Sequence, residues 1–272
     1  MRSIRSIFNS RGIRRLPRDR AKERLELIID LSHAVMSRGY VRINREYLII
    51  NDWSLFTRYL INCVNDDCAL MAIKVDGGQG DSLLSFLARV NGRLESEGVG
   101  RVVIVGGFAA ELYSGGVYRT GDIDVIIDSR NSERAMDILY EELSHINARR
   151  EGRVWVSDHF GVLALDVVGV TYVGRVKMLR VGDGHIYVES PEDNVVTSLN
   201  ACVYWSSDAD CERAAAVLAA QWGNVDWNYL IDRARREGVL DKLNELKRAI
   251  GERLGMNQKK VRKGAMPFTA DI

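Results

Sequence analysis

The 272-residue sequence predicts an α/β (α+β) fold with a mixed sheet, a C-terminal helical region and a small N-terminal α/β module. Three observations lead there. The run Val102-Val-Ile-Val-Gly-Gly-Phe-Ala-Ala-Glu-Leu reads as a buried strand, a Gly-Gly turn and the start of a short helix. After a Gly-rich, basic stretch, Arg119-Thr-Gly-Asp-Ile-Asp-Val-Ile-Ile reads as a second strand. On that strand Asp122 and Asp124 are two residues apart, so both point to one face and could share divalent cations. Third, short apolar runs recur up to about residue 190, and amphipathic helical segments follow them.

The elements follow in order. Past Pro17, Leu25, Ile28, Ile29, Leu31, Ala34 and Val35 form a helical stripe that ends at Gly39. Tyr40–Ile43 and Tyr47–Ile50 flank Asn44-Arg45-Glu46 and suit a hairpin, and a helical segment runs from about Trp53 to Val64. Helix, hairpin and helix are the ingredients of a winged-helix-like DNA module and equally of a small structural cap. Ala69–Val75 reads as a strand, and Asp81 is placed to cap a helix from Ser82 to about Glu97. Asn131 to Asn147 is helical, with Ala135, Ile138, Leu139 and Leu143 on one face. Val154–Val156, Gly161–Val168, Lys177–Leu179 and Ile186–Val188 read as strands. Within the second of these, Asp166 is a carboxylate in an apolar run, where an unpaired charge is costly to bury. From Pro191 onward the pattern is helical, ending in the amphipathic stretch Val225 to Leu246; Trp222 just before it, and Trp227 and Tyr229 within it, read as core packing. The expected division is a basic arm (1–17), the N-terminal module (18–80), a core (81–190), a helical domain (191–255) and a basic tail (256–272).

Composition narrows the function classes. No stretch reaches the roughly 20 apolar residues that span a bilayer, and a soluble cytoplasmic protein with no membrane partner is expected. Cys63, Cys68, Cys202 and Cys211 lack paired C-x-x-C spacing, so reduced core thiols are expected rather than a zinc site or a disulfide framework. The formal net charge of +1 is unevenly spread. Residues 1–22 hold eight Lys/Arg against one Asp, and residues 257–272 hold four against one, which leaves an acidic body between basic ends. Such ends are either nucleic-acid-binding arms or solvated tails.

An apolar strand, Gly-Gly, a spacer of fourteen residues (108–121) and Asp-x-Asp together resemble the nucleotidyltransferase superfamily, with its polymerase β-like fold. The resemblance covers roughly residues 82–250. It implies two Mg²⁺ (or Mn²⁺) held by Asp122, Asp124 and Asp166, with the phosphates of a nucleoside triphosphate substrate met by the Gly106 and Gly107 amides and by Arg119 and Thr120. Val188-Glu-Ser-Pro-Glu-Asp, Ser198-Leu-Asn-Ala and Asp208-Ala-Asp210 are similar to the helical region of abortive-infection toxin-type nucleotidyltransferases. There a Lys stands twelve residues before an Asp; here Asp210 keeps its place, as a candidate catalytic base or polar partner, but Ser198 occupies the Lys position. The implied activity is transfer of a nucleoside monophosphate to an acceptor hydroxyl, most readily on tRNA or another RNA held by the basic ends. The same resemblance implies a toxin with an antitoxin protein as partner. Modification of a protein side chain, and a non-catalytic relative that binds nucleotide or nucleic acid, stay open as alternatives.

Overall fold

The computed structural model describes residues 21–37, 41–43, 47–50, 83–118, 120–160 and 163–255. Strands β1 (Val41–Ile43), β2 (Tyr47–Ile50), β3 (Gly100–Val105), β4 (Asp122–Ser129), β5 (Arg149–Glu151), β6 (Val154–Val156), β7 (Ala164–Gly169), β8 (Val176–Val181) and β9 (Gly184–Glu189) make one sheet. Its order is β1-β2-β8-β9-β3-β4-β7-β6-β5. The sheet is mixed, as expected: β3 runs antiparallel to β4 and parallel to β9, and β4 runs parallel to β7.

Helices α1 (Ala21–Ser37), α2 (Leu83–Ser96), α3 (Gly106–Tyr113), α4 (Ser132–His145), α5 (Pro191–Tyr204), α6 (Asp208–Ala220), α7 (Trp227–Arg236) and α8 (Leu240–Arg253) complete the described chain. Each forms for a local reason. In α4 the expected apolar face of Ala135, Ile138, Leu139 and Leu143 is buried, and the Asn131 side chain caps the first turn by accepting the Arg134 N–H at 3.2 Å. In α2, Leu83, Leu87, Val90 and Leu94 enter the core. Its buried Asn91 accepts the Val102 N–H at 2.8 Å, which fixes where β3 begins. Ser190 caps α5, and Pro191 occupies its first turn, where a missing N–H costs nothing.

The alternation read from the sequence sets the two faces of β4. Ile123, Val125 and Ile127 are fully buried against the core, so Asp122 and Asp124 project from the other face. The β4–β7 register pairs Asp124 with Asp166, and a bulge after Val125 shifts the pairing beyond them.

The N-terminal hairpin is present, but it does not stand apart. Strand β2 pairs in parallel with β8, so the hairpin continues the main sheet, and α1 packs against α6. Arg253 of α8 ties to Asp30 and Glu26 of α1. The expected helix at 53–64, the strand at 69–75, the Asp81 cap and most of both basic ends lie outside the described residues.

The cysteine expectation is corrected. Cys202 and Cys211 form a disulfide between the end of α5 and the start of α6. These two helices pack against each other across a short turn, which brings the two sulfurs together; no spacing motif announces that. Cys63 and Cys68 lie outside the described residues. Trp222 and Trp227 pack as expected, with their rings edge to face at 4.9 Å against the core.

Candidate active site

Three carboxylates meet at the junction of β4 and β7. Asp122, Asp124 and Asp166 each offer an oxygen, and these atoms lie within 4.8 Å of one another. Asp166 is 4 % exposed, and its Oδ2 is buried without a hydrogen bond. Arg153 Nε lies 2.8 Å from that oxygen as an ion pair, but the arginine side chain is 78 % exposed. Partial burial, with Asp122 and Asp166 nearby, pushes the Asp124 carboxyl up to about 6. A cluster this crowded, balanced only by an exposed arginine, fits a divalent cation, which takes oxygen ligands and cancels the mutual repulsion.

The loop before β4 orients the first of these groups. Thr120 Oγ1 donates to Asp122 Oδ1 at 2.9 Å, and the Thr120 N–H donates to Glu111 Oε2 at 3.2 Å. Thr120 is therefore a partner of the carboxylate in this structure, where the sequence suggested a phosphate contact. Arg119 lies outside the described residues.

The two glycines act chiefly through space. Gly106 has φ +65°, and a Cβ there would meet Asp124 Oδ2 at 2.7 Å. A Cβ on Gly107 would meet Thr120 Oγ1 at 2.9 Å. Any side chain at either position would displace a group that builds the carboxylate cluster. The Gly106 amide is also engaged: it donates to Glu189 Oε1 at 2.6 Å. That N–H thus meets a buried carboxylate in this structure, where the resemblance implied a phosphate contact. Glu189 takes the first amide of α3, and the next ones, starting with Gly107, are directed out of the helix end.

Glu189 is a structural centre that the sequence reading passed over as part of the Val188-Glu-Ser-Pro-Glu-Asp run. It is 2 % exposed and accepts from Gly106 and from Asn194 Nδ2 (2.7 Å). Asn194 Nδ2 also lies 2.8 Å from the Gly106 carbonyl, and Tyr113 OH donates to the Glu189 carbonyl at 2.6 Å. Burial raises the Glu189 carboxyl to about 7 against the opposing pull of these hydrogen bonds. The reasoning that picks out Asp166, a carboxylate on an otherwise apolar strand, applies equally to Glu189 at the end of Ile186-Tyr-Val-Glu.

Asp210 does not join the carboxylate cluster. It sits in the first turn of α6, 2.6 Å from Arg213 Nη2. Arg213 in turn donates through Nε to Ser198 Oγ at 2.7 Å, and Ser198, fully buried, donates to the Asn194 carbonyl. The signal for Arg213 was present: it is the lone cation in Cys211-Glu-Arg-Ala-Ala-Ala-Val-Leu-Ala-Ala, a stretch otherwise buried from Ala214 onward. No helix of the described residues is long and apolar enough to cross a membrane.

No protein-family model and no curated protein matches the chain. Among solved structures it is similar to an antigenic nucleotidyltransferase-like protein from Paracoccidioides brasiliensis, at 15% identity and a TM-score of 0.46, over 62% of this chain and 92% of that one. It is also similar to ANT(2'')-Ia in complex with adenylyl-2''-tobramycin, at 13% identity and a TM-score of 0.33, over 64% of this chain and 97% of that one. The solution structure of the antibiotic-resistance factor ANT(2'')-Ia is similar at 11% identity and a TM-score of 0.34, over 64% and 97%. What the site can do chemically follows from its own side chains.

Proposed function

We propose that the protein is a metal-dependent nucleotidyltransferase that moves a nucleoside monophosphate from a nucleoside triphosphate to an acceptor hydroxyl. One observation carries this reading: Asp122, Asp124 and Asp166 converge within 4.8 Å beside the N-terminus of α3. Carboxylates alone are common on protein surfaces. Their pairing with outward-directed helix amides is what suits a substrate that is both a polyanion and a chelator of divalent cations.

Asp122, Asp124 and Asp166 would hold Mg²⁺ or Mn²⁺. Such cations, when bound, neutralise phosphate charge and make an attacking hydroxyl more acidic. The protein's own tasks are placement. Thr120 aims Asp122, the β4–β7 register sets Asp124 beside Asp166, and the glycines let Asp124 and Thr120 close on the turn. In the transfer a bond forms between the acceptor oxygen and the α-phosphorus while the bond to the bridging oxygen breaks. Pyrophosphate leaves with that electron pair, and the hydroxyl proton passes to solvent. Little covalent chemistry is asked of the chain, and positioning and electrostatics dominate.

For the acceptor we propose RNA, with tRNA as the first candidate. The support is the charge distribution, since two strongly basic ends flank an acidic body. A toxin role, with an antitoxin partner, rests only on the resemblance of residues 188–210 to the toxin-type enzymes.

The test is to incubate the protein with each α-labelled nucleoside triphosphate, Mg²⁺ or Mn²⁺, total tRNA and cell protein. Label on RNA, absent in Asp122→Ala/Asp124→Ala, is expected. Label on protein would overturn the RNA acceptor. No label with any nucleotide, acceptor or metal would overturn the enzyme.

A further inference from the structure

The sheet order sets the carboxylate cluster between two unlike flanks. On one side of β4 lies β3, which runs into the glycine turn and α3; on the other lie β7, β6 and the edge strand β5. In the transfer the attacking and leaving oxygens stand roughly in line through the phosphorus. With the nucleotide phosphates on the α3 side, the acceptor approaches from the β7–β6–β5 side.

That flank ends in a basic hairpin. A two-residue turn, Gly152-Arg153, joins β5 to β6, and Arg149, Arg150 and Arg153 stand exposed on it with Glu151 as the one acid among them. Register fixes where they sit. Asp124 pairs with Asp166, Asp166 with Val154 and Val154 with Glu151, while Arg149 pairs with Val156, so Arg149 belongs to the face of the sheet that carries the cluster. Arg150 takes the alternate place on the same edge, and its Nε donates to the Gly152 carbonyl at 3.1 Å. Arg153 reaches the cluster itself: its Nε is 2.8 Å from Asp166 Oδ2, although its side chain is largely exposed. Strand β5 stands two strand spacings, roughly 10 Å, from β7, so a chain that ends at the cluster crosses this edge within its last few units.

Charge on an edge strand also discourages pairing with other chains, but that role does not require a guanidinium turned back onto a buried carboxylate. A divalent cation at Asp166 takes that oxygen and releases the guanidinium at the rim of the cleft, where its planar fork suits a phosphate.

We propose that the β5–β6 hairpin is the docking edge for the acceptor: Arg149, Arg150 and Arg153 hold backbone phosphates of a single-stranded RNA end whose terminal hydroxyl lies at Asp122, Asp124 and Asp166. The proposal rests on the transferase reading with an RNA acceptor and adds the surface that brings the two together. A patch one hairpin wide suits one backbone rather than a duplex. Contacts of this kind position the strand and carry little sequence preference.

The experiment measures binding of a short end-labelled oligoadenylate to the full chain across a salt series, in saturating Mn²⁺ and again in EDTA. Wild type is compared with Arg149→Gln/Arg150→Gln, with Arg153→Gln, with the triple variant, and with Arg235→Gln/Arg248→Gln, a control pair of exposed arginines on the C-terminal helices. Each phosphate contact on a single strand contributes about 0.7 to the log–log salt slope, so the triple variant in Mn²⁺ should lose about 2 units of slope and, near about 0.1 M salt, roughly 100-fold in affinity. Arg149→Gln/Arg150→Gln should lose about two-thirds of that slope with or without metal. Arg153→Gln should lose about 0.7 in Mn²⁺ and little in EDTA, where Asp166 holds the guanidinium. The control pair should match wild type, and equal melting temperatures check the fold. Unchanged slope and affinity in the triple variant would overturn the proposal, as would an equal loss in the control pair or a wild type that binds no RNA. The label-transfer assay keeps the two readings apart: label on RNA with binding indifferent to the hairpin sinks the docking edge alone, and hairpin-dependent RNA binding with no label on any acceptor sinks the transferase.

Discussion

Replacing Asp124 by Asn should stabilise the metal-free protein while removing its response to metal. Asp124 sits between Asp122 and Asp166, and its carboxyl is raised from 3.8 to about 6. A raised carboxylate contributes stability that is fully present below its unfolded value, near pH 4, and is lost as pH rises through about 6. At about 1.4 kcal/mol per unit, the ionised group costs up to roughly 3 kcal/mol at pH 8. Asp124 is partly open to water, which screens the effect, so about 1–2 kcal/mol is the realistic gain from an isosteric Asn. In a domain of this size that is roughly 2–8 °C in melting temperature. The assay is thermal unfolding in EDTA at pH 5 and pH 8, repeated across a Mg²⁺ or Mn²⁺ titration. The variant should exceed wild type at pH 8 and match it near pH 4–5. Wild type should gain about 2.7 kcal/mol at a hundred times the metal dissociation constant, and the variant should gain little. A variant less stable than wild type at pH 8 in EDTA, or one retaining the full metal response, would refute the electrostatic account of the cluster.

Three further outcomes are expected. Arg153→Ala removes the exposed cation paired with Asp166, so Mn²⁺ binding at low salt should tighten several-fold; weaker binding would make Arg153 an aid to the metal rather than its competitor. Opening the Cys202–Cys211 disulfide, by reductant or by paired Ser substitutions, releases a closed loop of about ten residues. Chain entropy then predicts a loss of about 2–3 kcal/mol, and a melting temperature indifferent to reductant would contradict the bond. Glu189, raised from 4.5 to about 7, should make wild type lose stability as pH rises between about 4.5 and 7. Glu189→Gln keeps an acceptor for Gly106 and should flatten that part of the profile; an unchanged slope would show that Glu189 does not ionise there.

Much of the site was legible because it rests on local signals. The period-2 alternation of Asp122-Ile-Asp-Val-Ile-Ile placed two carboxylates on one face, and the structure buries Ile123, Val125 and Ile127 opposite them. Asp166 stood out because a lone charge in an apolar strand needs a reason. Glu189 carried the same signal but lay beside a Pro-bearing helix start that explained its neighbourhood in another way. Gly106 was singled out for close approach of a triphosphate, and what approaches it in the structure is Asp124.

By itself, the sequence determined most strands and helices between residues 82 and 220, the carboxylate-bearing face of β4 and the acidic body with its basic ends, since each follows from neighbours a few residues apart; it missed the short β5 and read as one stretch the two helices α7 and α8. Only the tertiary structure decided which distant groups meet. The β4–β7 register brought Asp166 to Asp124, the packing of α5 on α6 joined Cys202 to Cys211 and set Arg213 on Ser198, and the β2–β8 pairing drew the N-terminal hairpin into the core sheet. The physical reason is that register and helix packing are chosen by the burial of the whole core. No window of sequence short enough to show a period contains both partners of such a contact.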